Sequence, residues 1–142
     1  MFKSFFKKKE KNLDNKNILI GALLVHAAKI DENYTETEKE IIKKALMNLN
    51  EIKPDEANDL LKLAEEKETE QNQIVEFTKE IKNLSMEFRL KIIEVIWKIV
   101  YSDGTSDNYE SNLIRRICGL LYISDKDNGI VKIKVQNSVN KL

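Results

Sequence analysis

Two short acidic stretches hold the residues best suited to chemistry in this chain. "DENYTETE" supplies Asp31, Thr35 and Glu38, and "DGTSDNYE" supplies Asp103, Asp107 and Glu110. Carboxylates held close together repel one another unless a hard cation neutralises them. Asp31, Glu38, Asp103 and Glu110, if they converge, would therefore make an oxygen-rich site for Ca2+ or Mg2+. An EF-hand loop is excluded, because it needs glycine at its sixth position and glutamate at its twelfth. Counted from Asp103 those places hold Asn108 and Ile114, and counted from Asp31 the twelfth place holds Ile42. The same residues have a second chemistry. Thr35 with Glu38, and Asp107 with Glu110, have the spacing of a capping box at a helix N-terminus. Acid in that first turn also meets the positive end of the helix dipole. Each cap contributes about 1 kcal/mol, enough to account for these residues without a ligand.

Other reactive side chains are sparse. His26 is the lone histidine, and it falls on an apolar segment, where a core or interface role outweighs one as a base. Cys118 is the only cysteine, so no internal disulfide forms, and one Cys with one His falls short of a structural zinc site. It stands among Ile117, Leu120 and Leu121, the setting of a buried, inert thiol. No glycine-rich phosphate loop and no Ser/His/Asp set can be assembled, so the expectation is a protein without catalytic activity. Arg115 and Arg116 are expected to divide, one packed over the core and paired with a Glu, the other solvated. Trp97 and Phe88 are expected in the core.

The elements that position these residues are helices. The chain has 142 residues, 4 Gly and 1 Pro, with 42% hydrophobic and 34% charged residues, which suits one helix-rich domain. A first helix is expected from Lys16 to Ile30 with Asp14 as its N-cap, apolar nearly all round and hence central. A second starts after Thr35 and a third at Pro54, a residue suited to the first helical position. A fourth carries Ile74, Phe77, Ile81 and Leu84. The fifth, from Ser85 to Tyr101, leaves only the narrow polar stripe Lys91, Glu94, Lys98, so it is central too. A sixth runs from Asp107 to Leu121. Ser124 caps a last segment, in which Gly129 and the alternation "VKIKV" weaken the case for helix.

Net charge is +0, which gives no global attraction to nucleic acid. Lysines nevertheless crowd residues 1–11 and acids crowd residues 51–80, so a basic tail and an acidic middle form separate surfaces. The start, "MFKSFFKKKEKN", lacks the apolar core of a secretory signal, and "ILIGALLV" is too short to span a bilayer, which points to the cytoplasm. Phe2, Phe5 and Phe6, interleaved with Lys7, Lys8 and Lys9, would share one side of a short helix. Such a segment either folds back on its own domain or makes a weak peripheral contact with the inner membrane or a partner. The division expected is a tail over residues 1–14 and a single domain over 15–142.

An internal repeat organises the rest. "LLVHAAKIDENYTETEKEIIKKA" lies over "VIWKIVYSDGTSDNYESNLIRRI", with Asp31 on Asp103, Thr35 on Asp107 and Glu38 on Glu110. Each copy is an apolar helix, an acidic loop and a capped amphipathic helix, and the two central helices can bury one another. The expected fold is all-α, a compact bundle of about seven helices with two pseudo-symmetric helix–acidic loop–helix repeats. The runs "ALLVHAAKIDENYTETEKEII" and "IIEVIWKIVYSDGTSDNYESNLIRRICGLLYISDKD" resemble the tellurite-resistance TerB-like family over residues 16 to 127. That resemblance implies the TerB fold, shared with the N-terminal domain of a membrane-tethered DnaJ-type co-chaperone, and a bacterial cytoplasmic protein linked to stress or tellurite resistance. It also implies metal contacts at Asp31, Glu38, Asp103 and Glu110, although Glu32 stands where the family has Gly. The function expected is a non-enzymatic binding or scaffold domain near the cytoplasmic membrane face, offering its acidic surface and its tail to an unknown protein partner. The alternative is a divalent-cation-binding stress protein built on the paired acidic loops.

Overall fold

A computed structural model describes residues 2–30, 34–70, 73–102 and 108–140, with side chains over 15–30, 34–70, 73–102 and 112–138. Among these there are seven helices and no strand: α1 Phe2–Ala28, α2 Glu36–Asn50, α3 Pro54–Glu70, α4 Ile74–Ile81, α5 Met86–Tyr101, α6 Asn108–Leu120 and α7 Asp125–Asn140. None is long and apolar enough to cross a membrane among the described residues.

Local signals account for most boundaries. Thr35 closes a full capping box on α2, and Pro54 opens α3. The Ser85 hydroxyl accepts the Phe88 N–H at 3.2 Å to start α5, and the Ser124 hydroxyl accepts the Asp127 N–H at 3.1 Å to start α7. One expectation fails at α1. It does not begin near Lys16 but runs from Phe2, so Asp14 lies inside the helix and caps nothing. The polar start was no stop signal, because lysines and Glu10 are good helix formers and no Gly or Pro interrupts them. The Asp107 cap of α6 falls outside the described residues.

The last segment is helical despite its alternating pattern. Val131 and Val135 stand four apart and turn inward, Val135 fully, while Ile130 and Ile133 are exposed. The Trp97 Nε1–H donates to Asn128 Oδ1 at 2.9 Å and ties α7 to α5. Helix α6 ends through Tyr122, whose left-handed φ of 57° lets the Ile123 N–H return to the Cys118 carbonyl at 2.9 Å. Helix α2 also ends on a left-handed residue, Glu51, with φ 51°.

The core is continuous, with Ile20, Leu23, Leu24, Phe77, Ile92, Ile93 and Ile96 fully buried. Helices α1 and α5 meet there, yet each packs most extensively on the third helix of its own half, α1 on α3 and α5 on α7. The repeat thus has three helices per copy, α1–α3 and α5–α7, with α4 between the copies laid across α1 and α6. The α1–α3 contact is close enough that a Cβ on Gly21 would stand 2.7 Å from the Cβ of Ala64.

Candidate functional site

The first acidic loop is described from Tyr34 onward. Glu38 Oε1 accepts the Thr35 N–H at 2.8 Å and its hydroxyl at 3.0 Å, and the Thr35 hydroxyl accepts the Glu38 N–H at 3.2 Å. Glu38 is buried, and this oxygen is engaged in the cap. Of the other proposed metal contacts, Asp31 and Asp103 lie outside the described residues. Glu110 is placed only as backbone in the first turn of α6. Among the described residues no three His, Cys, Asp or Glu side chains come together as a metal centre would require. The side chains of Phe2, Phe5, Phe6, Lys7, Lys8 and Lys9 lie outside the described set, although their backbone belongs to α1.

Beside this cap sits a polar cluster that the sequence pattern did not reveal. Glu68, in the last turn of α3, is buried; its Oε2 accepts from Lys29 Nζ at 2.9 Å, and its Oε1 lies 3.3 Å from His26 Nδ1. A carboxylate there faces the negative end of its own helix dipole, so the two α1 partners offset both desolvation and dipole. The Tyr34 ring lies under two ammonium groups, Lys29 at 5.8 Å and Lys39 at 5.0 Å from its centroid. Burial and the nearby carboxylates of Glu65, Glu38 and Glu36 push its phenol above the ordinary tyrosine range. His26 also lies tilted against Phe77 of α4, with centroids 6.3 Å apart. The cluster locks α1, α3 and the entry to α2 together.

Cys118 is buried, as its apolar neighbours implied; desolvation, with the Asp125 charge adding to it, pushes the thiol up to about 12. Arg115 and Arg116 depart from expectation. Both are exposed, and neither forms an ion pair among the described residues. They are adjacent on the outward arc of α6, whose inward arc is taken by Leu113, Ile114, Ile117 and Cys118.

The concavity best formed for a ligand lies elsewhere, between α2 and α5. It is an open-sided groove of about 330 Å³. Its floor is Ile41, Ala45 and Leu49, one stripe along α2, facing Val95 of α5. Its rims carry Lys44 from α2 and Lys91 and Lys98 from α5, all exposed. The one acid of the lining, Glu94, is held by Lys134 of α7 at 3.0 Å. The polar stripe Lys91, Glu94, Lys98 is therefore one wall of a groove, which no reading of α5 alone could disclose. Five acids of the middle stretch, Asp55, Glu56, Asp59, Glu66 and Glu70, occupy a different place, the solvated face of α3, where they are exposed.

The family model described as Tellurite resistance protein TerB matches residues 17–132. That span runs from α1 into α7 and includes both acidic loops, the His26–Lys29–Glu68 cluster and the groove. A comparison with curated proteins gave no match, and neither did one with solved structures.

Proposed function

Because the chain belongs to the Tellurite resistance protein TerB family, matched from residue 17 to 132, we propose that it is a non-enzymatic binding domain of that family which acts by holding a protein partner. The observation that supports this reading is the groove between α2 and α5, where half-buried Ile41 and Leu49 lie beside buried Ala45 and Val95 between lysine rims. The buried polar groups speak the same way. Glu38 serves a cap, and Glu68 serves the α1–α3 junction. An aromatic and basic start to α1 suits a domain working beside an anionic membrane face.

The test is in-cell cross-linking of the tagged chain, with and without tellurite in the medium, beside thermal melts of the chelated protein. A discrete protein adduct is expected, with no ion-selective rise of the melting midpoint in millimolar Ca2+, Mg2+ or Mn2+. A ligand that binds only the native state must raise that midpoint. An ion-selective rise with no protein adduct would replace this reading by the cation-binding one.

A further inference from the structure

The pseudo-symmetry of the fold supplies a template for the groove. With Asp31 laid on Asp103, α2 corresponds to α6 and α5 to α1. The counterpart of the α2–α5 groove is then the cleft between α6 and α1, and the chain fills that cleft itself with α4. Helix α4 is a short amphipathic helix. Ile74, Phe77 and Ile81 are buried at spacings of three and four, while Glu76 and Glu80 lie on the other side.

The correspondence holds residue by residue. Ala45 and Leu49 of the open groove fall on Ile117 and Leu121, both buried. Val95 falls on Leu23, also buried, and Lys98 falls on His26, which touches the Phe77 ring of α4. One side is thus a helix-binding cleft with its helix in place. The other also has an apolar floor but carries Lys91 and Lys98 where the filled cleft has Leu19 and His26, while Lys44 falls on the equally basic and exposed Arg116.

From this we infer that the α2–α5 groove docks a short amphipathic helix of a partner protein, with acidic residues flanking its apolar stripe. The inference rests on the partner-binding reading and specifies its ligand. The stripe Ile41–Ala45–Leu49 advances about 12 Å along α2, the length of an eight-residue helix such as α4. Lys44, Lys91 and Lys98 set the sign of the partner's flanks. The same charge disfavours the N-terminal stretch of this chain as occupant, since it holds Lys3, Lys7, Lys8, Lys9 and Lys11 against Glu10 alone. A small anion is a poorer fit to a groove floored by Ile41, Ala45, Leu49 and Val95.

The test places a photo-cross-linking amino acid at Asn48, an exposed residue of the groove, or at Asp59 on the far face of α3, in the full chain inside its host cell. Adducts are mapped by mass spectrometry to the cross-linked segment. From Asn48 the expected adduct is a protein segment with apolar residues at helical spacing flanked by Asp and Glu. The double change Lys91→Glu with Lys98→Glu should reduce it about tenfold or more, Lys91→Arg with Lys98→Arg should keep it, and the melting midpoint should stay constant in both. An adduct to phospholipid, to a second copy of this chain or to a non-acidic segment overturns the inference, as does charge reversal without effect. Protein adducts from Asp59 with none from Asn48 would sink the groove and spare the binding-domain reading. No protein adduct from either position would sink both.

Discussion

Glu68 illustrates what one residue can and cannot announce. In the sequence it is one acid among many in "LAEEKETE", and nothing marks it as the buried one. Its importance lies in two partners on another helix, contacts made across forty residues that no local pattern encodes. The pair is also unequal, with Glu68 8% and Lys29 36% exposed at the side chain. Removing Lys29 leaves a buried carboxylate with only His26 beside it, whereas removing Glu68 leaves an ammonium group that can reach water. In urea denaturation, Lys29→Ala should therefore cost about 1–3 kcal/mol. Glu68→Met, apolar and similar in volume, should stay within about 1 kcal/mol of the parent. The opposite order would mean that the pair is not the lock described above. Thr35 and Glu38, by contrast, were readable from spacing alone, because a capping box is a four-residue motif. Cys118 was readable from its apolar neighbours, and its chemistry follows. With the thiol pushed up to about 12 from an ordinary 9.0, the native protein should resist iodoacetamide at pH 8 and react on unfolding. Linkage gives the matching pH effect: above pH 9 the unfolded thiol loses its proton first, so it binds fewer protons than the native one. Stability should thus fall from pH 9 toward 12, and the Cys118→Ala chain should show a shallower alkaline decline in its melting midpoint.

At the scale of elements, six helices came through, while the start of α1 and the helicity of the last segment did not. Caps at Thr35, Ser85 and Ser124 and the proline at 54 are local chemistry, so α2, α3, α5 and α7 begin where the residues say. The start of α1 misled because an N-cap residue type, Asp14, is only permissive; a helix already under way passes through it. The alternation in "VKIKV" weakened the case for helix, but the Asn128 bond to Trp97 and the inward Val135 commit that segment to helix on α5. Two glycines make opposite predictions. Gly21 lies where α1 and α3 touch, and an added Cβ meets that of Ala64 at 2.7 Å. Gly21→Ala should destabilise by about 1–3 kcal/mol, since neither backbone can give way cheaply. Gly129 in α7 has open space where its Cβ would stand. Gly129→Ala should stabilise by up to about 1 kcal/mol from helix propensity. Chemical denaturation of the two variants side by side checks both signs.

For the whole molecule, the repeat visible as two aligned loops proved to be the middle of a larger one. Helices α3 and α7 occupy corresponding places, yet "PDEANDLLKLAEEKETE" and "DKDNGIVKIKVQNSVN" share almost no residues, so only the packing relates them. The groove was hidden for a similar reason: it exists only once α2 and α5 are set side by side. The dominance of α1–α3 and α5–α7 packing also bears on the order of assembly. Within each half the main partners are separated by a single helix, so closing either half requires only a short loop and a modest entropy loss. Local partners of this kind make for fast folding. Native-state hydrogen exchange should resolve α1–α3 and α5–α7 as two separately protected units, and uniform opening of all seven helices would contradict that. On the ribosome the N-terminal half emerges first and can close on its own third helix while the second half is still being made. The growing chain then has a finished surface waiting, and α4, the next helix to emerge, is laid down on α1 before α6 exists to complete its cleft.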